Sequence, residues 1–214
     1  MWGSDGKGII SIVTADLAMV IFFSNIFSGS SVSYFSSKYK QEQILLFAYL
    51  WSVLVGISVP LVLGFFHPSS FTYYLIGLSI LSSLLSTNIN LFVGKQNIRM
   101  YNFYTIMQLV VLVLCILGFI YVLKITSVHV YFIAQIFCFG ILFITSFFQI
   151  IKDHNFSAIS FSRKIGFGLF SYGWKSQLSA FLQFLNNRLS FYYLEFFRGL
   201  TSVGVFSVGV ACSE

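Results

Sequence analysis

Apolar runs of about 20 residues, parted by short polar segments, leave this chain few ways to fold. They cover residues 8–31, 44–65, 71–93, 103–123 and 129–151, followed by a more polar run at 165–197 and a last one that opens at Gly204. A helix rising about 1.5 Å per residue needs about 20 residues to cross the hydrocarbon core of a bilayer. Inside that core every backbone N–H and C=O must be paired within the protein, which only helices and closed barrels achieve. Barrel strands alternate polar and apolar side chains over about 10 residues, and these runs do not alternate. The expected fold is therefore all-α, a polytopic transmembrane helical bundle. Composition agrees, since 57% of the residues are hydrophobic and 8% charged, against about 25% charged in soluble domains.

The net charge of +6 would suggest nucleic-acid binding in a soluble protein, but here it is a topology signal. Loops after the first, third and fifth runs hold Lys38, Lys40, Lys95, Arg99, Lys152, Arg163 and Lys164, whereas the opposite side holds Lys7, Lys124 and Arg198. By the positive-inside rule the richer group is cytoplasmic. No nucleic-acid partner is expected. Cys115, Cys138 and Cys212 fall in apolar segments without CxxC or metal-ligand spacing, so they read as free thiols. His67, His129 and His154 fall at predicted membrane edges, again without ligand spacing. No nucleophile with its base, no phosphate loop and no paired carboxylates stand out, so the reading is a non-enzyme without cofactor. Energy coupling would come from a proton or sodium gradient or from partners.

The last third carries the strongest functional signal. From Ser171, steps of three and four give Lys175, Ser179, Gln183, Asn186 with Asn187, and Ser190 on one helical face, with Phe and Leu opposite. Such a stripe fits the wall of an aqueous cavity within the bilayer. Two charges fall at membrane depth, Asp16 and Arg188, where a charge costs about 2.5 to 3.5 kcal/mol even on insertion scales. They could pair with one another. Arg188 lies opposite the stripe on a straight helix, so either the helix kinks or Arg188 faces another surface; snorkelling to the outer interface is the plainer alternative. Lys175 stands beside Trp174, which suits interfacial anchoring. Asn25 belongs to a polar series on the first run with Ser11, Thr14 and Ser28, and Ser79, Ser82, Ser83, Ser86 and Asn90 share a side of the third. Such stripes suit close helix packing.

The beginning of the chain recurs near its end. Gly199 and Gly204 match Gly3 and Gly8, Ser207 matches Ser11, and Ala211 matches Ala15. In each copy two glycines are expected to frame a short loop. Repeated helix groups are a mark of transporters. Six spans separate the copies, which predicts a parallel repeat and an intact form of two six-helix halves. On that reading residues 1–151 are the remainder of an N-terminal six-helix bundle lacking its first helix. Residues 152–164 are a cytoplasmic connector, and residues 165–214 begin a C-terminal bundle truncated within a helix.

The run Tyr172-Gly173, Asn187-Arg188-Leu189, Tyr193-Leu194, Gly199 and Val203-Gly204-Val205-Phe206-Ser207-Val208 through Ala211 to Glu214 resembles helices seven and eight of polysaccharide biosynthesis membrane proteins. These form the O-antigen flippase branch of the multidrug, oligosaccharidyl-lipid and polysaccharide exporter superfamily. Gly3 to Lys38 looks like the second helix of that family, including Gly-Ser-Ser ahead of a Tyr and a basic loop. Many relatives carry an acidic residue where this chain has Asn187. The resemblance implies a flippase that moves an undecaprenyl-diphosphate-linked oligosaccharide across the bacterial cytoplasmic (inner) membrane, by alternating access between two six-helix bundles. Its partners would be the lipid-linked oligosaccharide, the bilayer, a polysaccharide polymerase and a chain-length regulator. Arg188, Asn187, Asn186, Gln183, Lys175 and Asn25 would bind substrate, a basic side chain attracting the diphosphate, and Asp16 would serve an ion pair or ion coupling. A multidrug and toxin extrusion exporter is the runner-up; it would favour acidic cavity residues, and Asp16 is the one candidate in the first five spans. A membrane polymerase or ligase of lipid-linked sugars would call for a large outer loop, and every predicted outer loop is short.

Overall fold

The computed structural model describes residues 3–66, 70–121, 124, 127–152 and 163–213, with the side chains of 66, 179, 184, 186, 187, 212 and 213 excepted. Among the described residues every regular element is helical: α1 (Gly3–Ser28), α2 (Ser30–Ser36), α3 (Gln41–Phe66), α4 (Thr72–Gly94), α5 (Ile98–Tyr121), α6 (His129–Lys152), α7 (Arg163–Arg198) and α8 (Leu200–Ser213). The chain is an all-α polytopic bundle. Among the described residues, five stretches are long and apolar enough to cross a membrane: α1 continued through α2, then α3, α4, α5 and α6. The helix α7 is not among them. Its 36 residues span about 54 Å, more than the roughly 40–45 Å of a whole bilayer, but its composition is more polar. The 14 residues of α8 reach about 21 Å, short of the roughly 30 Å core.

Three expected loops are helical instead. Residues 3–7 form the first turns of α1, residues 98–102 open α5, and residues 200–203 open α8. None contains a proline, and local capping explains the second case. Gln96 takes a left-handed φ of 59°, which reverses the chain, and Asn97 Oδ1 then accepts a hydrogen bond from the Met100 N–H at 3.3 Å. That is an N-terminal cap, and it sets the start of α5 well ahead of the apolar run. Of the expected connector, Lys152 ends α6 and Arg163 and Lys164 begin α7, while 153–162 lie outside the described residues.

The centre of the bundle is α4, which packs on α1, α2, α3, α5 and α6. Its span is 56% buried, whereas that of α5 is 6% buried, so α5 is an outer helix of the bundle. Lipid gives apolar helices no hydrophobic reason to associate, which leaves close packing and interhelical hydrogen bonds. Both are present around α4. The Phe92 and Tyr104 rings stack at 5.5 Å between α4 and α5. Tyr49 on α3 donates to Asn88 Oδ1, whose Nδ2 donates to Ser146 Oγ on α6 at 2.8 Å. A second apolar cluster joins Val13, Leu17, Leu75, Leu78 and Phe132. At the other side of α1, Ile12, Phe191 and Val203 tie α1, α7 and α8 together.

Candidate functional site

The contact of α1 with α8 is built from glycine. A Cβ on Gly8 would collide with the Leu200 carbonyl oxygen, and a Cβ on Gly204 would collide with the Ser4 carbonyl oxygen. Gly8 and Gly204 are the matched positions of the sequence repeat, and Ser4 and Leu200 stand at the same offset. The contact is therefore reciprocal, as across a two-fold axis. Thr201 Oγ1 donates to Asp5 Oδ1, again a pair at that offset. The residues at these two helix starts share a backbone state too, Gly3 opening α1 with φ 65° and Gly199 just ahead of α8 with φ 76°, a region that costs L-residues about 1–2 kcal/mol. The glycines do not frame a loop as expected; they seat two helix starts against one another.

Beneath this crossing α7 runs antiparallel along α1. Gly173, Gln177, Phe181, Arg188 and Tyr192 fall at steps of four and seven, which is one helical face, and that face meets α1. A Cβ on Gly173 would collide with the Ile26 carbonyl oxygen. Phe181 packs on Phe22 at 4.7 Å. Ser176 Oγ and Ser30 Oγ share a hydrogen bond of 2.6 Å, and Tyr172 stacks on Tyr34 at 4.6 Å and 9°. Closer to the glycine crossing, Tyr192 Oη donates to Asp16 Oδ1 at 2.8 Å. Asp16 is half-buried, about 20 Å along α1 from Gly3. One turn from Tyr192, the Arg188 guanidinium carbon lies 5.3 Å from the centroid of the Phe191 ring, within cation–π range. Asp16, Glu195 and Arg188 all act electrostatically on the Tyr192 hydroxyl.

These contacts decide where the sequence-predicted residues go. Arg188 and Asp16 come to the same seam. Arg188 is half-buried there, on the surface opposite the stripe, so the second of the two expectations for it is the right one. The stripe itself points away from α1: Lys175 and Gln183 are exposed. Ser179, Asn186 and Asn187 belong to it as well, but their side chains lie outside the described ones. Asn25 turns from the seam to α4, where its Oδ1 accepts a hydrogen bond from Ser86 Oγ at 3.3 Å. Among the described side chains, Arg188 and Asp16 thus share the seam, Lys175 and Gln183 face away from it, and Asn25 turns to α4. Sequence reading missed Tyr192, Ser176 and Gln177, although the four-residue step from Arg188 to Tyr192 was there to be seen. No protein-family model, curated protein or solved structure matches this chain.

Proposed function

We propose that the chain acts in a multi-pass membrane flippase that moves undecaprenyl-diphosphate-linked oligosaccharides across the bacterial inner membrane for surface polysaccharide synthesis. The observation that carries the reading is the reciprocal crossing of α1 and α8 through Gly8 and Gly204. It supports two repeated helix groups meeting on an axis, the geometry on which one bundle can rock against another around a fixed site. Directly beneath it lie Arg188, Asp16 and Tyr192, at a depth where ionisable groups mark substrate or ion pathways. Arg188 offers a planar, permanently charged donor for a diphosphate, and the exposed Lys175 and Gln183 give the free face of α7 hydrophilic contacts for sugar. Asp16 supplies the acid for coupling to a proton or sodium gradient, with a polymerase and a chain-length regulator as downstream partners.

The test is genetic. Deleting the full reading frame should abolish surface polysaccharide while lipid-linked repeat units accumulate. Wild type should restore it, and Arg188→Ala should restore at most a tenth of the wild-type amount with the protein still present in the membrane. Normal polysaccharide together with new sensitivity to cationic drugs would refute the flippase reading in favour of a drug exporter.

A further inference from the structure

A cavity of about 330 Å³ lies away from the α1–α7 seam, among α1, α4, α5 and α6. Two polar rows face each other across it. Ser82, Ser86 and Asn90 come from α4 at steps of four, and Tyr101, Thr105 and Gln108 from α5 at steps of four and three. Phe139 of α6 adds an aromatic wall. The α4 row is largely occupied: Asn90 Nδ2 donates to the Ser28 and Ser86 carbonyls at 3.1 and 2.9 Å, and Ser86 Oγ donates to Asn25. Thr105 Oγ1 donates to the Tyr101 carbonyl at 2.9 Å. By contrast, neither the Gln108 amide nor the Tyr101 hydroxyl is hydrogen-bonded among the described residues. Gln108 sits about 15 Å along α5 from Ile98, near the middle of the span, where no bulk water or lipid group would pair with it.

Chemistry narrows what belongs there. The lining holds no charged side chain, so an organic ion would lack a counter-charge. A lone metal cation prefers converging oxygens, usually including carboxylates, whereas the Gln108 amide brings N–H donors too. Size argues the same way, because about 330 Å³ would hold about ten waters at roughly 30 Å³ each and falls at the small end of organic-ligand pockets, about 300–1,000 Å³. Donors and acceptors on two walls with the Tyr101 and Phe139 rings between them suit a flat, hydroxyl-rich, uncharged ring. We propose that this cavity is a binding site for a single neutral sugar ring, with Gln108 and Tyr101 as its principal hydrogen-bonding groups.

The test uses the full chain in lipid nanodiscs, with Cys115, Cys138 and Cys212 replaced by Ala and a single reporter thiol placed by Thr105→Cys or, on the opposite wall, by Ser82→Cys. A charged methanethiosulfonate reagent should modify both thiols. Millimolar glucose, galactose or N-acetylglucosamine should slow at least one modification fivefold or more, and exchanging sodium for choline should not. Gln108→Leu should leave the modification and remove the protection. Failure to modify either thiol would mean a dry cavity, protection by sodium alone a cation site, and modification that no sugar slows mere hydration; each overturns the proposal. The readout needs no lipid-linked substrate, so loss of the flippase reading would leave this site standing, and the reverse holds too.

Discussion

Asn88 joins three helices through one side chain, taking a hydrogen bond from Tyr49 and giving one to Ser146. Replacing it by Ala orphans the Tyr49 hydroxyl, at about 1–3 kcal/mol for such a group, while Ser146 keeps its hydrogen bond to the Phe143 carbonyl at 2.9 Å; the loss is moderated because partners in membranes are worth about 0.6 kcal/mol on average. Asn88→Ala should therefore lower stability by about 1–3 kcal/mol, measured as a drop in the melting temperature of the purified protein. Ser83 is the opposite case. Its hydroxyl is fully buried and has no hydrogen-bond partner among the described residues, so Ser83→Ala should leave the melting temperature unchanged or raise it. The two residues stand five apart in the third apolar run, about 140° around the helix, and the sequence does not mark which of them is paired. What does is the register of α3 and α6, which brings Tyr49 and Ser146 to Asn88.

The α1–α8 contact yields a sharper contrast. Gly8→Ala and Gly204→Ala each force a Cβ into a carbonyl, and overpacking of this kind costs about 1–3 kcal/mol. Because both push the same two backbones apart, the double variant should lose less than the sum of the singles, a coupling of about 0.5–3 kcal/mol that a thermal double-mutant cycle would detect. Strict additivity would mean that the helices do not meet there. Gly118 has open space around it, so Gly118→Ala should cost nothing and gain up to about 1 kcal/mol in helix propensity. Here the sequence told much: the spacing of Gly3 and Gly8 against Gly199 and Gly204 marked the contacting elements. It misread their conformation because glycines next to charge look like a turn, and only the closeness of the partner backbone shows why they sit in a helix. The facing of α7 was less legible, since both sides carry polar residues. The bare surface of Gly173 against Ile26 settles which side turns inward.

For the molecule as a whole, run length was enough to predict the helical class and the five candidate spans through α6; the sidedness read from lysine and arginine is a separate expectation. The ends of helices were harder to read, because residues 98–102 are polar enough to be a loop yet continue a capped helix. The topology makes a direct prediction. With other thiols removed, single cysteines introduced by Ser37→Cys and Gln96→Cys should react with an impermeant maleimide only from the cytoplasmic side, and Lys124→Cys only from the other. Labelling of all three from one side would overturn the arrangement. These positions are exposed, so reactivity would report sidedness rather than burial.

Gly199 joins α7 to α8 as a single residue, its left-handed φ of 76° fixing the angle between them. Mechanically that is a pivot at the end of a beam about 54 Å long. A 10° swing about it would carry the basic end of α7 about 9 Å while scarcely moving the glycine crossing beside the pivot. Stacked Tyr34 and Tyr172, far from the fulcrum, would part first, and the Asp16–Tyr192 hydrogen bond, close to it, would yield last.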